Sequence, residues 1–308
     1  MIYGAKVSIL SSIYLLKLYF SKHSKIVSGR MIDVKKDGMN YAPKGKPNPV
    51  VEPGEFNFAV TALDHGHING MTNGLLEAGA TLKWVYDPNP EKVAAFQEEF
   101  TEVAVAKSLE EILNDPSIQL VAAAAIPNVR SELGNRVMQA GKDYFTDKTA
   151  FTTMEQLEET KKVVAETGMK FFVYFSERLH VEGAVFAGQL IKDRKIGEVI
   201  QVTGFGPHRL DKEKRPDWFF KKEQYGGILC DIGSHQIEQF LYYTGNENAE
   251  VLHSKVGNYA NPETPELEDY GDATLIGENG ATFTFKVDWF TPDGLGTLGR
   301  WSDFYYGN

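Results

Sequence analysis

Hydrophobic and polar residues change rhythm along this chain in a way that divides it into segments. Phe56 to Ala62 is a β-prone alternating run, the turn Leu63-Asp64-His65-Gly66 follows, and His67 to Ala78 has helical spacing. The cycle then repeats. Leu82 to Tyr86 predicts a strand ending at Asp87, Glu91 to Phe100 a helix, and Val103 to Val105 a third strand. The next helix is capped by Ser108 and carries Glu110 and Glu111 in its first turn. Gln119 to Ile126 is continuously apolar and stops at Pro127-Asn128, as a strand buried on both faces should. Helix Arg130 to Ala140, with Gly141 past its end, and strand Asp143 to Thr146 complete five β-units. A helix Met154 to Glu166, capped by Thr152 or Thr153, leads to a sixth strand, Lys170 to Tyr174. Strands alternating with helices at this spacing need crossover connections, hence a parallel, doubly wound sheet of the Rossmann type.

After Tyr174 the pattern changes. A helix through Val185 to Asp193 precedes strands such as Glu198 to Gly204, and Asp272 to Phe290 reads as a hairpin turned by Glu278-Asn279-Gly280. Strands without regular crossovers predict a largely antiparallel sheet. The expected class is therefore α/β: an N-terminal Rossmann domain over 56–175 and a C-terminal α+β domain over 176–308. Residues 1–55 are expected to be an extension or arm, with Lys44-Gly45-Lys46-Pro47-Asn48-Pro49 extended. Val7 to Phe20 is apolar but interrupted, short for a membrane span and followed by no small-residue cleavage site. A weak signal, an anchor, and untranslated sequence ahead of a true start at Met31 all remain open.

Composition narrows the partners. The net charge of −10 argues against nucleic acid and mildly against anionic membranes. One cysteine, Cys230, allows neither an internal disulfide nor a Cys-pair zinc site, which suits the cytoplasm. No metal site is expected.

In doubly wound sheets the ligand lies beyond the carboxyl ends of the strands. The segment after the first strand, Leu63, Asp64, His65, Gly66, His67 and Ile68, offers backbone N–H groups and a helix N-terminus to a pyrophosphate. The usual glycine fingerprint is degraded, with Ala62, Asp64 and His67 in its glycine positions. Asp87, 25 residues after Ala62, is placed to accept both ribose hydroxyls and to repel a 2′-phosphate, favouring NAD over NADP. A solvated Asp-Pro turn is the alternative.

Several motifs together resemble one family. They are Asp87-Pro88, Ala125-Ile126-Pro127-Asn128, the run from Ala140 to Thr149, and Gly226-Gly227-Ile228-Leu229-Cys230-Asp231-Ile232-Gly233-Ser234-His235. From Phe56 to about Thr297 the chain resembles the Gfo/Idh/MocA oxidoreductases, the glucose–fructose oxidoreductase and inositol dehydrogenase group. Asp147 and Thr149 replace the Glu and Pro of that family's Glu-Lys-Pro segment, and Lys148 is retained. The last motif matches the family's Gly-Gly…Asp-x-x-x-His helix start.

The resemblance implies an NAD(P)-dependent dehydrogenase acting on a sugar, inositol or related polyol. His235 would take the hydroxyl proton, Asp231 would orient it or bind substrate, and Lys148 would stabilise alkoxide character. Pro127 and Asn128 would border the cofactor, and Arg178, His180 and His208 the substrate. A homo-oligomer of the family's kind is compatible. Two alternatives stand: a glycosidase using transient oxidation, and a non-catalytic nucleotide-binding fragment. Leu298 to Asn308 departs from the family's continuation. Back-translated and read one nucleotide on, it gives Trp-Gly-Asp-Gly-Arg-Thr-Phe-Ile-Met-Gly-Thr, which leads us to expect a frameshift near Thr297. Loss of the last strands would then uncover the hairpin from Ala281 to Phe290.

Overall fold

The computed structural model of the chain describes residues 7–8, 48–292 and 302–307. Two compact units divide the described chain: one runs to Tyr174 and the other begins at Phe175. Expectations for the N-terminal apolar run and for 293–301 fall outside the described residues.

Six parallel strands build the sheet of the first unit: β1 (Asn57–Thr61), β2 (Thr81–Tyr86), β3 (Ala104–Val105), β4 (Leu120–Ala123), β5 (Asp143–Asp147) and β6 (Phe171–Tyr174). Their order is β3-β2-β1-β4-β5-β6, with every pairing parallel. Strand order reverses between β1 and β4, which creates the crevice where such sheets receive ligands. β4 is the clearest case of sequence dictating place: Leu120, Val121, Ala122 and Ala123 are all buried, because the strand is central and covered on both faces.

The helices of this unit are α1 (His67–Glu77), α2 (Pro90–Glu99), α3 (Leu109–Asn114), α4 (Arg130–Gln139) and α5 (Met154–Thr167). Their starts follow local chemistry. Asn89 caps α2 by accepting from Glu91 N–H, with Pro90 at the first helical position, where its missing N–H is harmless. Ser108 caps α3, and Thr153, rather than Thr152, caps α5 in a reciprocal capping box with Gln156.

The second unit carries a mixed sheet. Its strands are β7 (Val199–Pro207), β8 (Asn248–Gly257), β9 (Tyr270–Gly277), β10 (Thr282–Asp288) and β11 (Ser302–Gly307), with Val7–Ser8 pairing on β8. The order is Val7–Ser8, then β8-β9-β10-β7-β11. All pairings are antiparallel except β10 with β7. The hairpin turn falls at 278–280, where Gly280 adopts φ +85° and Gly277 N–H donates to Ala281 O at 2.8 Å.

That hairpin is not the uncovered element anticipated from the sequence. β10 lies inside the sheet, between β9 and β7, and Phe283, Phe285, Val287 and Trp289 are buried. The rings of Phe240 and Phe283 stack at 5.0 Å, joining the sheet to the helix Gly233–Thr244. The remaining helices of this unit are α6 (Ser176–Leu179), α7 (Glu182–Lys192), α8 (Lys222–Tyr225), α9 (Ile228–Asp231) and α10 (Gly233–Thr244). Asp231 and His235, expected on one helix, stand on either side of a one-residue interruption at Ile232.

Candidate functional site

In the first unit the expected cofactor residues gather at the carboxyl edge of the parallel sheet. Just past β1, Ala62 adopts φ +52°, a left-handed conformation costing a non-glycine residue about 1–2 kcal/mol. It occupies the first glycine position of the degraded fingerprint, so the turn persists without its glycine. Asp87 then ties two strand ends together. Its Oδ2 accepts from Leu63 N–H at 2.8 Å and its Oδ1 from Asn89 N–H at 2.9 Å. Each carboxylate oxygen has a second lone pair, so the capacity to accept from hydroxyls remains.

Asp87 lines a cleft of about 370 Å³ with Ala62, Asp64, Asn89, Ala125 and Val129. Asp64, awkward beside a phosphate on sequence grounds, is paired with Lys92 Nζ at 2.5 Å, which offsets its charge. The other cation of the cleft, Arg136, is engaged by Glu110 at 2.9 Å. Gly66, exposed, leads into α1, whose first turn holds His67 and the buried Ile68. Pro127 and Asn128 open the 3-10 turn after β4, where Gln156 Nε2 donates to Asn128 O at 2.8 Å.

A second cluster sits at the end of β5. The carboxylate of Asp147 is fully buried. His65 Nδ1 lies 3.0 Å from its Oδ2, His67 Nδ1 2.9 Å from its Oδ1, and Arg130 reaches Oδ2 at 3.1 Å. Arg130, itself buried, also donates from Nε to Ala125 O at 2.6 Å and from its other terminal nitrogen to Thr149 O at 3.0 Å. Burial alone would raise the Asp147 carboxyl; Arg130 and the two imidazoles overcome it and hold the group well below the usual carboxylate range. For His65 burial prevails and lowers the imidazole against the pull of Asp147. Burial, with Asp147 adding to it, pushes the Tyr174 hydroxyl up to about 12.

His65, His67 and Asp147 bring one ligand atom each within 4.8 Å of one another, the spacing a metal ion would need. Here the arrangement is better described as hydrogen bonds: the guanidinium of Arg130 already neutralises the carboxylate a cation would use. Lys148 follows Asp147 directly, half-buried, and the Lys148–Thr149 peptide is cis.

In the second unit Glu177, His208, His235 and Gln236 converge. Glu177 Oε2 accepts from Gln236 Nε2 at 3.1 Å. Its Oε1 lies 3.6 Å from His208 Nε2 and 3.9 Å from His235 Nε2. The His208 ring stands edge-on to Trp289 at 5.5 Å, and that of His235 to Phe175 at 5.9 Å. Asp231 is half-buried at the end of α9, and its charge is felt by Arg215, whose guanidinium covers Phe219 at 4.5 Å and Trp289 at 4.9 Å.

Two further residues expected to face substrate lie near one another after β6. Arg178 is buried, forks onto Glu238 from Nε at 2.7 and 2.9 Å and through its terminal nitrogen, and covers the Tyr242 ring at 4.0 Å. Those contacts occupy the guanidinium in a structural ion pair. His180 is exposed just past α6. Sequence reasoning passed over Arg130 and Gln236, and gave Glu177 no role of its own. The available signal was position: Arg130 follows the buried strand's Pro127-Asn128 stop, and Glu177 stands beside Arg178 after the sixth strand.

A parallel sheet with a topological switch point, followed by a unit with a mixed sheet, puts the chain among two-domain Rossmann proteins. Residues 64–175 match the oxidoreductase family with NAD-binding Rossmann fold, and residues 185–300 the GFO/IDH/MocA C-terminal domain. A crystal structure of a presumed oxidoreductase from Erwinia carotovora atroseptica SCRI1043 is 51% identical, with a TM-score of 0.79, covering 82% of this chain and 76% of that one. The chain belongs to the GFO/IDH/MocA family. Among curated relatives, a scyllo-inositol 2-dehydrogenase (NADP(+)) of Bacillus subtilis is 30% identical over 58% of this chain and 48% of its own length. A D-xylose dehydrogenase of Paenarthrobacter nicotinovorans is 25% identical over 48% of this chain and 39% of its own. The match thus spans about half or less of these curated relatives' length. Among the described residues, no helix is long and apolar enough to cross a membrane.

Proposed function

We propose that this chain is an NAD-dependent dehydrogenase that oxidises a secondary alcohol of a sugar, inositol or related polyol, or reduces the matching ketone. The observation that carries the reading is the buried imidazole of His235 beside a carboxylate, on the helix start that matches the family's second domain. The dinucleotide fits the first unit. The cleft walled by Asp87 is of ligand size, and Asp87 retains lone pairs for the adenosine ribose. The first-turn N–H groups of α1 would meet the pyrophosphate.

Asp87 also supplies the cofactor preference. A buried carboxylate repels a 2′-phosphate, and the two cations lining that cleft are engaged by Asp64 and Glu110. NAD is therefore favoured, although the Bacillus subtilis relative is named for NADP(+).

Bound nicotinamide supplies the hydride acceptor or donor. In the oxidation direction His235 accepts the hydroxyl proton as the carbon gives up hydride, a role worth about 10²–10⁴-fold in rate. The ammonium of Lys148 stabilises negative charge growing on the substrate oxygen, and ketone reduction uses the same groups in reverse. The test is a panel of polyols and sugars followed by NADH absorbance, with NAD and NADP titrated by fluorescence. His235→Ala and Lys148→Ala should remove turnover while leaving NAD binding largely intact. Equal affinity for the two dinucleotides would refute the part given to Asp87; turnover surviving in both variants would refute the mechanism.

A further inference from the structure

A buried carboxylate needs a reason. The Glu177 side chain is only 5% exposed, and removing such a group from water is costly by several kcal/mol unless charge or hydrogen bonds compensate. Around it the structure sets one amide, from Gln236, and two imidazoles, from His208 and His235. All four residues belong to the second unit.

The tautomer of His208 follows from its other contact. Its Nδ1 lies 3.1 Å from Gly206 O, and a carbonyl can only accept, so Nδ1 carries hydrogen. In a neutral ring Nε2 would then present a lone pair to Glu177 Oε1. At 3.6 Å the pair attracts only when it holds one more proton, on the ring or on the carboxyl. Oε1 is shared: it also faces His235 Nε2.

We propose that Glu177 is a positioning residue for His235, fixing its imidazole through Nε2 and stabilising it once it holds the alcohol's proton. This rests on the reading of His235 as the base. With Nε2 3.9 Å from the carboxylate, the imidazolium that forms on taking the proton lies against a negative charge. Gln236 holds the second oxygen and so fixes the carboxylate plane. Glu177 from α6 and the ring of Phe175 face His235, and His208 at the end of β7 faces the same Glu177 oxygen.

Histidine-labelled whole chain, titrated by NMR, tests the coupling without reference to turnover. In Glu177→Gln the His235 midpoint should fall by about one pH unit or more, because an opposite charge at this range favours the protonated ring. Kinetically, kcat for polyol oxidation should drop about tenfold or more, the acid limb of its pH profile should move to lower pH, and KM should change far less. Glu177→Asp keeps the charge on a shorter arm and should recover part of both effects; it also serves if Glu177→Gln folds poorly. An unchanged His235 midpoint in a folded Glu177→Gln chain overturns the proposal, as does a pure KM effect. A wild-type chain that oxidises no polyol would instead remove the functional reading, and the NMR shift would still decide whether Glu177 governs His235.

Discussion

Replacing Arg130 by Met should be the most damaging single change in the first unit. The substitution keeps an unbranched apolar stem but removes the charge that pairs with Asp147 at 3.1 Å and the donors that reach Ala125 O and Thr149 O. Asp147 would be left fully buried with two imidazoles as its remaining partners. Breaking a buried pair from one side typically costs about 3–5 kcal/mol. For a unit of this size, a loss of 1 kcal/mol lowers Tm by roughly 3–4 °C, so a fall of about 9–20 °C is expected by calorimetry. The pH dependence adds a second constraint. Arg130 helps hold the folded Asp147 below its unfolded value, so its contribution is present above about pH 4 and lost as pH falls below that. Without Arg130 the folded carboxyl rises, and protonation relieves the variant. The gap between wild type and variant should be widest at neutral pH, narrow toward about pH 4 as the variant's carboxyl protonates, and close only below that. Adding Asp147→Asn should recover part of the loss, since an amide there carries no unpaired charge. A Tm loss worth under about 1 kcal/mol, or a gap that ignores pH, would refute the account of this cluster.

Three further outcomes follow from packing and capping. Gly134→Ala should cost about 1–3 kcal/mol in denaturant melts, because the new Cβ would lie 2.5 Å from the Tyr144 ring and 2.9 Å from Phe171. Thr153→Ala should cost about 1 kcal/mol by urea titration, through loss of the capping box on α5. Glu238→Gln should destabilise the second unit by about 3–5 kcal/mol in calorimetry, since the buried Arg178 guanidinium loses its counter-charge.

The strands and helices of the first unit were legible because their signals are local. An apolar run such as Gln119 to Ile126 has one way to satisfy itself, at the centre of a sheet covered on both faces. Ser108 and Asn89 sit where helix starts need a side-chain acceptor. The second unit was legible only in part. Its hairpin was visible from Glu278-Asn279-Gly280, but nothing local says that β10 pairs with β7, 81 positions away at Thr282–Gln201, and in parallel. Without that pairing the hairpin looked like an edge; with it, the same aromatic residues form the interior.

Site residues divide along the same line. Asp87, His235 and Lys148, the residues proposed to act, each sit in a short motif at a strand or helix end. The groups that set their chemistry do not. Asp64 looked hostile to a phosphate until Lys92, 28 positions on, was found against it. Arg178 looked like a substrate contact until Glu238, 60 positions on, claimed its guanidinium. Glu177 carried no motif at all, and its meaning depends on His208 and His235 arriving from two other elements. A charged side chain acquires its role from the charge it meets. One-dimensional pattern shows where a charge is placed, whereas the partner is a product of topology. Sequence reading therefore identifies the groups that would touch ligands and misses those that tune them, and the tuning groups here are the buried ones: Arg130 with Asp147 in one unit, Glu177 between two imidazoles in the other.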